Sequence, residues 1–308
     1  MYHSDTELAP VIVFCFKRFS ELKKTIATLA ANYLANDTVL YIFSDGPRGV
    51  SDVKGVDDVR AYLKTITGFK QVVVKEHPVN LGLAKSVIGG VSAVLEKHGK
   101  TIVVEDDLVT SPNFLDFMNQ ALNFYMEHED VLSISGFTLP LKNMPENDDF
   151  YVGYRASSWA WGTWLSKWKN IDWDVSDFKE FYRDRESRLT FKRGGSDMVK
   201  MLKDQMDGKI DSWAIRFCYH QYKENMVTVF PTVSKASSIG FGSDATHTFN
   251  ESRFRTTLDG GEKRDFLFKN NVGVEPQLAK DFRRFFSIRL RIADRLRRYS
   301  KKLKFVRH

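Results

Sequence analysis

The sequence predicts an α/β protein with a mostly parallel central sheet flanked by helices, followed by a basic amphipathic C-terminal helix. Three observations predict it. Short apolar runs alternate with helix-period segments four times in about the first hundred residues, the pattern of successive βα units. The runs are continuous rather than alternating, as strands buried on both faces require. The fourth run ends in three carboxylates, Glu105, Asp106 and Asp107, and open α/β folds bind ligands at the carboxyl edge of their strands.

Residues 11–16 read as the first strand and 20–33 as a helix with Leu22, Ile26 and Leu29 on one face. A second strand, 39–43, ends in Ser44-Asp45-Gly46-Pro47, a turn signal. Helix 56–66, strand 71–76, helix 84–98 and strand 101–104 continue the alternation, and helix 112–129 and strand 131–135 follow. The pattern then loosens. Trp159, Trp161, Trp164, Trp168 and Trp173 crowd residues 151–173, and a charged, helix-like stretch covers 176–206. Helix 212–224, strand 227–231 and a Gly/Ser-rich loop over 237–248 close the body. With no internal repeat and no low-complexity linker, one continuous domain is expected over residues 1–275.

The chain of 308 residues, 43% hydrophobic and 28% charged, has an ordinary globular composition. No apolar run approaches the roughly 18 residues of a membrane span, and Asp5 and Glu7 stand where a signal peptide would be basic and then apolar. A cytoplasmic protein is therefore expected. Its two cysteines, Cys15 and Cys218, lie in apolar segments and read as core residues rather than a disulfide or zinc site. The net charge of +7 is local: residues 281–308 carry 11 Lys/Arg against Asp281 and Asp294, a net of +9, which leaves −2 for residues 1–280. That distribution argues against a nucleic-acid-binding body.

Hard carboxylate oxygens at a strand end suit a divalent cation carrying a phosphorylated substrate. The competing reading is a solvated loop in which Ser111-Pro112 starts the next helix. The order Asp45-Gly46, then Asn80-Leu81-Gly82-Leu83-Ala84-Lys85, then Val103-Val104-Glu105-Asp106-Asp107-Leu108 with Ser111-Pro112-Asn113-Phe114, resembles the GT-A (Rossmann-like) glycosyltransferases. It is most similar to the inverting N-acetylglucosaminyltransferase I group, with related bacterial family-2-like sugar transferases matching in style. The resemblance covers residues 9–250, with a donor half over about 9–140 and an acceptor half over about 141–250, and is weakest between 141 and 207.

The resemblance implies a role for each matching position. Asp107 would coordinate Mn2+ (or Mg2+) bridging the phosphates of a nucleotide-sugar, and Glu105 and Asp106 would face sugar and ribose. Backbone groups near Phe16 and a basic residue, Lys17 or Arg18, would hold the nucleotide. Asp45 would accept from the uracil N3–H, which makes a UDP-sugar the expected donor. Asn80 and Lys85 would meet the base and phosphates. Asp211, in Gly208-Lys-Ile-Asp-Ser-Trp-Ala-Ile-Arg216, would be the general base that an inverting transfer needs. It reads equally as a helix N-cap, and Asp207 is its nearest competitor. His247 would reach the metal or diphosphate from a flexible loop. Trp159 and Trp161 are acceptor-side candidates, against the plainer reading of core packing.

From Phe282 apolar residues recur every three or four positions through Phe285, Ile288, Ile292, Leu296, Tyr299 and Leu303, with Arg and Lys between them. Residues 276–308 thus read as a basic amphipathic helix that binds an anionic membrane surface, or one docked on the body with a solvated basic face. Together these readings predict a metal-dependent inverting glycosyltransferase. It would act on a glycan or lipid-linked saccharide in bacterial surface-polysaccharide assembly, peripheral on the cytoplasmic face of the inner membrane. A sugar-phosphate nucleotidyltransferase and a non-enzymatic basic lipid- or nucleic-acid-binding protein are the alternatives. The first normally has a glycine-rich loop after strand one, and Phe14-Cys-Phe-Lys-Arg-Phe19 has no glycine.

Overall fold

The computed structural model describes residues 7–240, 254–287 and 290. The alternating apolar runs fold in the order read: β1 (Val11–Cys15), α1 (Phe19–Ala30), β2 (Val39–Ser44), α2 (Val50–Leu63, beginning six residues before the expected 56), β3 (Gln71–Glu76), α3 (Leu83–His98) and β4 (Lys100–Glu105). These strands lie in the order β3-β2-β1-β4, all parallel, with Val11 beside both Leu40 and Ile102. The two-residue period divides their side chains between two cores. Val11, Val13, Cys15, Leu40, Ile42, Ile102 and Val104 pack with residues of α1 and α2. Ile12, Phe14, Tyr41, Phe43 and Val103 pack on the opposite face with Ala84, Val87, Val91 and Val94 of α3.

The chain then adds β5 (Leu108–Thr110), α4 (Phe114–Phe124), β6 (Val131–Ser135), β7 (Phe150–Gly153) and β8 (Trp161–Trp164). Four short helices follow, α5 (Leu165–Trp168), α6 (Phe178–Arg183), α7 (Arg185–Phe191) and α8 (Met198–Met206), and then α9 (Trp213–Lys223), β9 (Val227–Pro231), β10 (Ala236–Ser238) and α10 (Pro276–Phe285). The full sheet runs β3-β2-β1-β4-β8-β6-β9-β7. In it β8 is antiparallel to both β4 and β6, β9 is parallel to β6, and β7 is antiparallel to β9. The expected fold class therefore holds, with antiparallel strands confined to this second half.

Strands β5, β7, β8 and β10 have only three or four residues each, too few to show a period. The expected helix-like stretch 176–206 is broken. Asp184 takes extended angles and accepts from the Ser187 N–H as the cap of α7, and Gly195 sits at φ 146°, outside any helix. Ala160 adopts φ 46°, so the tryptophans on either side of it do not share a face. Trp159 packs with the cluster around Phe137 and Phe282, whereas Trp161 joins the core under α3 and α9.

The described part of the basic C-terminal segment docks on the body. Leu278 and Phe282 of α10 are buried against Phe137, Tyr151 and Phe230, which puts these two residues with the docked alternative to the membrane-binding expectation. Residues 288–289 and 291–308, which carry the rest of that expectation, lie outside the described residues. Among the described residues no helix is long and apolar enough to cross a membrane.

Candidate functional site

Four parallel strands end along one edge, and the loops that leave them hold one another in a line of contacts. β4 delivers Glu105, Asp106 and Asp107; the loop after β1 delivers Arg18. Its guanidinium reaches both acids, Nη1 donating to Asp107 Oδ2 at 3.0 Å and Nη2 donating to Asp106 Oδ1. A planar guanidinium can fork between two carboxylates in this way. Lys17 turns away to Asp52 in the first turn of α2, 2.5 Å from its Oδ1. Of the two basic residues expected here, Arg18 therefore faces the triplet. Phe16 is half-buried, with the Arg48 guanidinium 5.1 Å from its ring centroid.

Three carboxylates against one guanidinium leave the edge acidic. Burial, reinforced by Asp107 and Asp106, pushes the Glu105 carboxyl up to about 8. Burial also raises Asp106 to about 6 although the Arg18 charge opposes it. Asp107 is the more open of the two acids Arg18 holds, its side chain 15% exposed against 8% for Asp106. Beneath them the Cys15 thiol is pushed up, first by burial and then by the Asp106 charge; like Cys218 it is a buried free thiol.

Asp45 and Asn80 are placed on this edge and tie its loops together. Asp45 Oδ1 accepts from the Gly46 and Leu81 N–H groups at 3.0 and 2.9 Å. Asn80 donates to the Gly46 carbonyl at 3.1 Å and accepts from the Gly82 N–H at 3.2 Å. A Cβ on Gly46 would stand 2.6 Å from the Val79 backbone, so the two loops meet this closely only because residue 46 is glycine. Lys85 stands exposed in the first turn of α3.

Asp211 is brought to the same edge from the second half of the chain. Its Oδ2 accepts from the Ala84 N–H at 3.4 Å, and a Cβ on Gly82 would lie 3.5 Å from that oxygen. The expectation that Asp211 caps its own helix is corrected: Ser212 is the N-cap of α9 and accepts from the Ile215 N–H. The Asp211 carboxylate instead faces the N-terminal end of α3, whose own N-cap is the side-chain-less Gly82. Asp211 remains open, with 61% of its side chain exposed, and Arg216 Nη2 lies 3.9 Å away. Asp207, the competitor, pairs with Lys203 and Lys209 on the surface.

Gly240 is the site residue that sequence reading did not single out. The Ile239 N–H donates to the Asp107 carbonyl at 2.8 Å, and a Cβ on Gly240 would fall 2.0 Å from Asp107 Oδ2. Antiparallel pairing of β10 with β5 sets this contact. His247, seven positions further on in the sequence, lies outside the described residues. The two tryptophans part company. Trp161, at 0% exposure, is stacked on Trp213 and Trp168 with centroids 4.8 and 5.7 Å apart, so the expected acceptor-side role gives way to core packing. Trp159 packs edge-on against Phe137 at 4.7 Å.

No group of three or more His, Cys, Asp or Glu side chains poised to enclose a metal occurs among the described residues. Asp107, the more open of the two acids Arg18 holds at 15% side-chain exposure, suits instead a hard cation that takes most of its ligands from elsewhere.

No family model and no curated protein matches the sequence. Among solved structures, residues 1–349 of S. aureus TarS superpose with a TM-score of 0.38 at 13% identity, over 73% of this chain and 60% of that one. The chain thus spans less than two thirds of that TarS structure. The mannosyltransferase PcManGT from Pyrobaculum calidifontis, in complex with GDP-Man and Mn2+, superposes with a TM-score of 0.41 at 9% identity, over 70% of this chain and 68% of that one. The fold assignment above rests on the chain's own strand order and register.

Proposed function

We propose that the chain is a metal-dependent inverting glycosyltransferase of the GT-A kind. It would use a nucleotide-sugar, UDP-linked in the first instance, and act on a glycan or lipid-linked saccharide. The observation that carries this reading is the carboxyl edge itself: Arg18 forks between Asp106 and Asp107 while Glu105 adds a third carboxylate. We infer GT-A-like sugar transfer in general, and not membership of the N-acetylglucosaminyltransferase I group.

In this reading Asp107 holds the divalent ion, Mn2+ or Mg2+, which when bound neutralises the diphosphate of the donor and of the leaving nucleotide. Arg18 orients the two aspartates and adds a fixed positive charge beside the phosphates. Phe16 and Asp45 line the nucleoside end, and Asn80 fixes the loop between them and α3. Asp211 accepts the proton of the attacking hydroxyl; its carboxylate is held at the start of α3 by the Ala84 N–H and stays open on its other side. Gly240 lets the loop after β10 press against Asp107, where a Cβ would overlap the carboxylate. Surface-polysaccharide assembly at the cytoplasmic face of the inner membrane is the proposed setting.

Thermal shift with UDP, GDP and UDP-sugars, each with and without Mn2+, tests the reading, since a ligand bound to the folded state raises its stability. A nucleoside diphosphate should raise the melting temperature only with the metal, and Asp107→Asn should abolish that rise while lowering turnover by on the order of 10²-fold or more. No shift with any nucleotide, or a shift indifferent to both metal and Asp107→Asn, would sink the proposal.

A further inference from the structure

An open groove of about 460 Å³ runs between α10 and the turn at residues 192–196. Arg193 forms one wall, and Lys280, Arg283, Arg284 and Ser287 form the other. The four cationic side chains are exposed, and among the described residues no carboxylate lines the groove. None of these residues belongs to the carboxylate edge. On α10 they recur at steps of three and four, on the side opposite Leu278 and Phe282, so the helix presents an apolar face to the core and a cationic face to the groove.

Neighbouring acids do not neutralise it. Asp281 turns to Asn143, accepting from its N–H at 3.0 Å and its amide Nδ2 at 2.6 Å. Asp197 is held by Arg155 at 2.8 Å. Like charges at these helical spacings repel one another. Cations in a last helical turn complement the macrodipole, which accounts for Arg283 and Arg284; Arg193 on the facing wall lies 4.5 Å from the Tyr154 ring centroid and donates its Nε to the Thr190 carbonyl at 3.3 Å.

The walls are fixed from below. A Cβ on Gly195 would stand 2.7 Å from Arg155 Nη1 and 2.8 Å from Phe286 Cβ, and the Arg155 guanidinium lies 3.9 Å from the Phe286 ring centroid. The turn and the end of α10 are thus locked at close range, and the cations flank a preformed gap.

The geometry points to a second anion site, one that takes a phosphate-bearing group with more than one negative charge, such as a diphosphate. Guanidinium forks match phosphate oxygens two at a time, and the groove is far larger than one water, whose share of liquid volume is about 30 Å³. Under the transferase reading, on which only the identity of the owner rests, that group is the phosphate anchor of the acceptor.

The test is calorimetry of inorganic pyrophosphate with the full chain in EDTA. Wild type should bind, Arg283→Ala/Arg284→Ala should weaken binding about tenfold or more, and Arg193→Ala should repeat the loss from the other wall. Lys23→Ala/Lys24→Ala, which removes two exposed charges from α1, should bind as wild type does. Sedimentation with phosphatidylcholine vesicles, with and without phosphatidylglycerol, separates the sources. A parallel loss of anionic-vesicle binding in the groove variants assigns a lipid headgroup, and a loss for pyrophosphate alone assigns a soluble or tethered diphosphate.

Unchanged affinity of the groove variants for both probes overturns the site. So does an equal loss in Lys23→Ala/Lys24→Ala, which would mark general charge attraction. The Mn2+-dependent nucleotide shift of Arg283→Ala/Arg284→Ala should stay at the wild-type value, so this site and the transferase reading fail separately.

Discussion

The two halves of the sheet are built differently. In the β3-β2-β1-β4 half every pairing is parallel, each strand is followed along the chain by its own helix or turn, and each strand has an unbroken apolar centre. In the β8-β6-β9-β7 half, strands far apart in sequence are interleaved, three of the four pairings that include β4 with β8 are antiparallel, and large aromatic rings fill the space under the sheet. The first half offers a row of loop ends, and so carries the candidate chemistry. The second half supplies support and imports single residues, Asp211 and Gly240, to that row.

The contrast can be broken most strongly at Trp161. If a few stacked rings hold the second half, Trp161→Ala should destabilise the protein by about 3–5 kcal/mol in urea unfolding. In the first half the critical contacts are backbone approaches. Gly46→Ala, which drives a Cβ to 2.6 Å from the Val79 backbone, should cost about 1–3 kcal/mol, together with nucleotide affinity, because Asp45 and Asn80 hang on that loop. Equal costs for the two variants would erase the distinction.

A third effect is a pH slope at the acidic edge. The Glu105 carboxyl lies at 4.5 when unperturbed and at about 8 in the fold, so between those values the folded state retains a proton that the unfolded chain has released. Its contribution is therefore most favourable below pH 4.5 and is lost as pH rises toward 8. Metal-free Glu105→Gln should flatten the fall in melting temperature across that window; an unchanged profile would remove Glu105 from the charged cluster.

Much of the first half was legible because its signals are local. Continuous apolar runs marked β1 to β4, and Asp-Gly and the acidic triplet marked the loop ends. Reading was poorer where the physics is non-local. β7 and β8 are too short for a period, and the left-handed Ala160 sends Trp159 and Trp161 to different cores. Asp211 was found by its segment but given the wrong cap, because the helix it faces begins more than a hundred residues earlier. Gly240 gave no signal beyond lying in a glycine-rich stretch.

The sequence by itself determined the alternation of strands and helices, the position of three carboxylates at a strand end and the confinement of positive charge to the C-terminal segment, since each depends only on residue order and period. Tertiary structure decided which charges meet: Arg18 with Asp106 and Asp107, Asp211 with the start of α3, and Arg193 across from Arg283 and Arg284. These pairings arise from packing and register between segments distant in the chain, and a one-dimensional pattern does not encode which loops a folded sheet will bring together.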